Sequence, residues 1–202
     1  MQLTELQPAD SIFIDANIFI YHFSGQSAEC RTLFERCARR ELAGYTSTPV
    51  LAEVLHRLMV AEAIQQGLVT AKNAVQKLTE KPALVKQLHQ YNENVSQIGQ
   101  MNLVVASLTP AVLAASEELR KTEGLLTNDS LVVASMLELG LTKLASADEG
   151  FERIARIQVY KPATCESLPE QLSDLAIPPH GHHRATFCIA QNVSLLAFCQ
   201  PM

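Results

Sequence analysis

The sequence predicts an α/β fold in which helices pack against a parallel sheet, and three observations carry that reading. Short apolar runs of strand character, such as SIFID (11–15) and NLVVASL (102–108), alternate with longer segments of helical period. Helix boundary signals separate them, among them Thr109 followed by Pro110, and Gly140. At 202 residues and 48% hydrophobic, the chain can bury one good core, whereas two full domains would each be rather small.

SIFID is compact and rich in Ile and Phe, as a fully buried strand requires. SAECRTLFERCARRELAG (27–44) sets Leu33, Phe34, Cys37 and Leu42 on one side, which predicts an amphipathic helix stopped by Gly44. YTST (45–48) reads as a second strand. Pro49 opens the helix PVLAEVLHRLMVAEAIQQG (49–67), whose stripe is Val50, Leu51, Val54, Leu55 and Leu58. Two further helical patterns, 70–80 and 82–101, are divided at Pro82. NLVVASL is the third strand, followed by helices over 109–124, with Thr109 as cap, and 127–140. LTKLASAD begins as a strand and turns after Ala147, and IQVYKP (157–162) supplies the last. Such alternation implies parallel pairing through right-handed crossovers.

Beyond Pro162 the prolines, a Pro-Pro pair and the run HGHH (His180, His182, His183) break the pattern. The expected organisation is therefore one domain over 1–162 and a C-terminal appendage over 163–202. The histidine run lacks an acid or cysteine at ligand spacing, so it reads as a polar segment rather than a metal site. Net charge is −5 with pI about 5.7, so no global basic field announces a polyanion binder. No cationic-then-apolar leader and no apolar run near ~20 residues appear, which predicts a soluble cytoplasmic protein with no membrane partner. Five cysteines without a C-x-x-C read as free thiols.

Against this background four acids stand out. Asp15 and Asp148 each follow a strand, placing both at the carboxyl edge of the sheet, where open α/β folds bind ligands. Asp129 falls in the first turn of its helix, and Glu53 lies one turn into the helix that begins at Pro49, bordering its apolar stripe. Four carboxylates at one rim repel one another unless a cation neutralises them. A hard divalent ion, Mg²⁺ or Mn²⁺, suits an all-oxygen donor set and supports hydrolysis of phosphate esters by water.

The fragments FIDANIFIY, TSTPVLAEVLHRL and LLTNDSLVVASMLELGLTKLASADEGFERI, in that order, resemble the PIN-domain nucleases, and in particular the VapC-like toxin ribonucleases, over roughly residues 10 to 160. The resemblance implies a three-layer α/β/α sandwich with about five parallel strands, and a metal-dependent endonuclease acting on RNA. It puts the family's four acids on Asp15, Glu53, Asp129 and Asp148, as catalytic and metal-holding residues. It makes Asn17 a supporting group, and Ser146 a hydroxyl that orients water. Ser47 or Thr46 is expected to hydrogen-bond near Asp15. An inhibitory antitoxin and a homodimer are the protein partners it implies.

Arg57, about a turn beyond Glu53, is the best candidate for an RNA phosphate contact, ahead of Arg31, Arg36, Arg39 and Arg40. Two other functions compete. A haloacid-dehalogenase-type phosphatase needs a second Asp two residues after the first, where this chain has Asn17. A non-catalytic PIN-fold module would bind RNA or protein through the same surface.

Overall fold

The computed structural model describes residues 1–163. Five strands form one parallel sheet: β1 (Ser11–Ile14), β2 (Ala43–Ser47), β3 (Val104–Ala106), β4 (Lys143–Ala145) and β5 (Gln158–Tyr160), in the order β3-β2-β1-β4-β5. The chain builds outward from β1 to β3, then crosses back to lay β4 on the other side of β1. The carboxyl ends of β1 and β4 therefore border the point where the winding reverses.

Between the strands lie α1 (Ala16–Phe23), α2 (Ala28–Ala38), α3 (Thr48–Gln65), α4 (Ala74–Glu80), α5 (Pro82–Val85), α6 (Gln90–Ser96), α7 (Pro110–Glu123) and α8 (Thr127–Glu138). Together with the sheet they form the three-layer α/β/α sandwich expected from the resemblance. The central strand is the driest part of the molecule, with Ile12, Phe13 and Ile14 wholly buried. Around it pack Ile18 and Phe19 of α1, Val54 of α3, Val133 and Met136 of α8 and Leu144 of β4.

All five predicted strands are present, with shifted ends. The helix-end signals at Thr109, Pro110 and Gly140 are borne out. Thr109 accepts a hydrogen bond from the Val112 amide at 3.1 Å, Pro110 opens α7, and Gly140 adopts φ +67° beyond α8. Two expectations need correction here, and one helix went unpredicted. The helix expected over 27–44 ends at Ala38, because Arg40 takes a left-handed φ of +60° and the chain turns there. Gly44 is consequently no helix stop but lies inside β2. A Cβ at Gly44 would press on Leu103 and lie 2.9 Å from Cys37 Sγ, so the missing side chain lets the strand pack against α2. The unpredicted helix is α1, which follows β1 directly. Its apolar residues run on from the strand without a visible change of period, which hid the boundary.

Residues 70 to 100 form more and shorter pieces than the two predicted helices. They enclose a second hydrophobic cluster with the distal half of α3, including Val60, Ile64, Val69, Leu78 and Leu88. Its pivot is Glu62, which is buried, with its carboxylate accepting the amides of His89 at 3.0 Å and Tyr91 at 2.9 Å. This carboxylate binds the otherwise unpaired amides at the start of α6 and so fixes the lobe to α3. Burial acts to raise its pKa, but the backbone N–H groups of Tyr91 and His89 outweigh that and hold it below the ordinary value.

Cys30 and Cys37 are buried free thiols, as expected. Among the described residues, no helix is long and apolar enough to cross a membrane. The histidine run and almost all of the appendage fall outside the described residues.

Candidate active site

Asp15 occupies the junction between β1 and α1. Its amide continues the sheet ladder to Ala145 at 3.0 Å, while its Oδ1 accepts the Ala16 amide at 2.7 Å. The acid that interrupts an apolar stretch is thus the residue that closes a strand and starts a helix, with its charge at the positive end of α1.

The side chain is almost fully buried, at 8% exposure, and is held from two directions. Oδ2 accepts Asn17 Nδ2 at 2.8 Å and Ser146 Oγ at 2.8 Å. Asn17 also reaches across the seam, its Nδ2 donating to Ser146 Oγ at 3.1 Å and its Oδ1 accepting the Ala147 amide at 3.1 Å. Ser146 Oγ in turn accepts the Asp148 amide at 3.0 Å. Three buried polar side chains tie the end of β1 to the loop after β4. The Ser146 hydroxyl donates its proton to Asp15 and so steadies that carboxylate.

Thr46, one of two hydroxyls expected near Asp15, donates to the Ile14 carbonyl at 3.0 Å, fixing the last residue of β1. The other, Ser47 Oγ, is buried without a hydrogen-bond partner among the described residues.

Burial pushes the Asp15 carboxyl up to about 6, the bonds from Ser146 and Ala16 oppose that rise, and the charges of Glu53 and Asp129 add to it. Two acids distant in sequence therefore act on Asp15 through space. Glu53 is half-buried on α3, and its carboxylate is held on both oxygens. Oε1 lies 3.4 Å from Arg57 Nε one turn later, and Oε2 accepts Asn128 Nδ2 at 3.1 Å from the first turn of α8. Asn128 was not singled out in the sequence. The only signal was its place beside Asp129, for its link to α3 depends on tertiary packing.

Asp129 is half-buried in the first turn of α8. Asp148 starts the 3₁₀ turn Glu149–Phe151, its Oδ1 accepting the Gly150 amide at 2.7 Å. It joins Asp15 through its amide and Ser146. Among the described residues, no three His, Cys, Asp or Glu side chains converge closely enough to enclose an ion. The electrostatics nonetheless fit one. A buried carboxyl destabilised in its charged form by two neighbouring carboxylates is relieved by a hard cation, and every donor offered is oxygen.

The basic residues are largely committed elsewhere. Arg57 faces Glu53, Arg36 donates to the Leu6 carbonyl at 2.9 Å, and Arg39 pairs with Glu41 at 2.7 Å.

A family model described as PIN domain matches residues 12–157. Ribonuclease VapC2 of Methanocaldococcus jannaschii is 25% identical over 154 residues, covering 75% of this chain and 94% of that relative. Ribonuclease VapC6 of the same organism is 22% identical over 152 residues, covering 75% and 97%. Among solved structures, Rickettsia felis VapBC2 bound to a promoter DNA fragment gives a TM-score of 0.49 at 16% identity, covering 75% of this chain and 98% of that one. Mycobacterium tuberculosis VapC20, a toxin that cleaves the sarcin-ricin loop, gives 0.47 at 16% identity, covering 71% and 95%. With the model match spanning most of its length, from β1 to the residue before β5, the chain belongs to the PIN-domain family.

Proposed function

We propose that the chain is a divalent-metal-dependent endoribonuclease of the VapC kind, hydrolysing RNA phosphodiester bonds at the rim formed by Asp15, Glu53, Asp129 and Asp148. One observation carries this reading: Asp15 is buried where the winding of the sheet reverses, and the charges of Glu53 and Asp129 bear on it there. The ribonucleases named among its relatives support RNA as the substrate.

Asp15, Asp129, Glu53 and Asp148 would hold Mg²⁺ or Mn²⁺. When bound, such an ion supplies Lewis acidity toward the phosphate and a water of lowered pKa. The protein's own contribution is placement. Asn17 and Ser146 fix the Asp15 carboxylate in one orientation, so little reorganisation is required during reaction. Asn128 ties Glu53 to the first turn of α8, where Asp129 sits. No side chain need act as nucleophile, and the 2′-hydroxyl of RNA has no part in this scheme.

The phosphatase alternative fails on the role of Asn17. The position that would carry an acid is an amide that donates to Asp15 and has its oxygen on a backbone N–H. A protein inhibitor covering the acidic rim and a second copy of the chain are the protein partners this reading carries, and cytoplasmic RNA its target.

The test is cleavage of a mixed RNA pool titrated with Mg²⁺ or Mn²⁺, comparing the parent with Asp15→Ala and Asp129→Ala. Activity that appears with metal, vanishes in chelator and is lost in both variants is expected. A folded parent that binds RNA but does not cut it with any ion identifies a non-catalytic binding module instead.

A further inference from the structure

The guanidinium of Arg57, the candidate for an RNA phosphate contact, faces an acid on its own helix. Glu53 and Arg57 are both mostly buried, with side-chain exposures of 25% and 22%, and they lie 3.4 Å apart. Asn128 occupies the other oxygen of the same carboxylate. A Glu–Arg pair one turn apart on an open helix surface is common and weak. This one differs in its surroundings, because its acid is one of the two whose charges bear on buried Asp15. The positive Arg57 guanidinium held against Glu53 therefore offsets part of the repulsion that a divalent ion would otherwise relieve.

We infer that Arg57 is a built-in counter-cation of the acidic rim, pairing with Glu53 in the metal-free protein and competing with the divalent ion for it. This rests on the metal-dependent reading given above. Loading the rim with an ion requires Glu53 to give up some of its interaction with Arg57, and Asn128 keeps the carboxylate in place as it does so. The arrangement stabilises the empty rim and lowers its affinity for metal, which sets the ion concentration at which the protein becomes competent. Arg57 is here a positioning residue, acting through Glu53 rather than on the reacting atoms.

The test is direct Mn²⁺ binding to the full chain without RNA, followed by the electron paramagnetic resonance signal of the free ion. Parent, Arg57→Gln, Arg57→Met and Asn128→Ala are compared, each checked for native circular dichroism. Loss of one nearby positive charge is expected to tighten Mn²⁺ binding on the order of tenfold in either Arg57 variant. The same variants are expected to melt lower than the parent in chelator and to gain more from added Mn²⁺. Asn128→Ala is expected to weaken binding. The second Arg57 variant serves if the first does not fold.

Unchanged or weaker Mn²⁺ binding in a folded Arg57 variant overturns the inference. If such a variant also loses affinity for uncleaved RNA, Arg57 is a phosphate contact. A parent that binds no Mn²⁺ removes the metal-dependent reading itself and this inference with it. A parent that binds Mn²⁺ no less tightly than the Arg57 variants removes the inference alone.

Discussion

Ser146 gives its hydroxyl proton to Asp15 Oδ2 at 2.8 Å, across 131 positions of sequence. Ser146 Oγ also accepts the Asp148 amide, so one small side chain orients one acid and anchors the backbone of another. Ser146→Ala removes the donor and leaves that amide without its acceptor. It is expected to cost about 1–3 kcal/mol of stability. Cleavage is expected to fall through kcat with KM nearly constant, and Ser146→Thr to recover part of it. Denaturant melts beside steady-state kinetics check this, and a pure KM effect would contradict it.

The elevated Asp15 pKa makes a signed statement about pH. A carboxyl raised from 3.8 to about 6 contributes fully below the unfolded value, and that contribution is lost as pH rises through the folded one. Ionised Asp15 therefore costs the metal-free protein about 3 kcal/mol at neutral pH. Asp15→Asn removes the charge while abolishing cleavage. In chelator, its melting temperature relative to the parent is expected to climb between pH 4 and pH 7 by roughly 5 °C or more. A difference that stays flat across that range would contradict the burial argument.

Glu62 has the opposite sign. Its depressed pKa contributes stability above the ordinary glutamate value, and this is lost as pH falls through the lower folded value. Glu62→Gln keeps the shape but weakens the hold on the His89 and Tyr91 amides, with an expected cost of about 1–2 kcal/mol. Hydrogen exchange is the discriminating measurement. Amides of residues 69 to 98 are expected to exchange faster while those of β1 and β4 do not, and uniform acceleration would show that the lobe is not a separate unit.

Gly44→Ala tests whether β2 needs a residue without a side chain where it packs against Leu103 and Cys37. The new methyl group would meet Leu103 and Cys37 Sγ in a packed interior, and overpacking of this kind costs about 1–3 kcal/mol. A helix-stop glycine would instead show a penalty from left-handed backbone, which Gly44 does not adopt. Pairing the change with Leu103→Ala is expected to recover part of the loss in thermal melts, and strictly additive effects would argue against the steric account.

Much of this architecture was legible because its signals are local. The run Ile12, Phe13, Ile14 marks a buried strand by composition alone, and Thr109, Pro110 and Gly140 mark helix ends by backbone chemistry confined to a few residues. Asp15 was legible from its place at the end of a strand, and family resemblance added Asn17 and Ser146, although the task of the Ser146 hydroxyl depended on which neighbour it meets. Asn128 could not be read at all. Its partner Glu53 lies 75 positions away on another helix, and nothing in a polar helix start declares such a meeting. Gly44 was misread for a related reason: a glycine needed for close approach looks the same in sequence as one needed for a turn.

Strand order has a consequence for biosynthesis. The ribosome delivers β1, with Asp15, and α3, with Glu53, well before α8 and β4, so an elongating chain holds half of its acidic rim and no Ser146 to steady it. The carboxylates can assemble only once Asp148 has left the exit tunnel. On the proposed reading, a ribonuclease built this way would stay inert for most of the time it is tethered to a machine made of RNA.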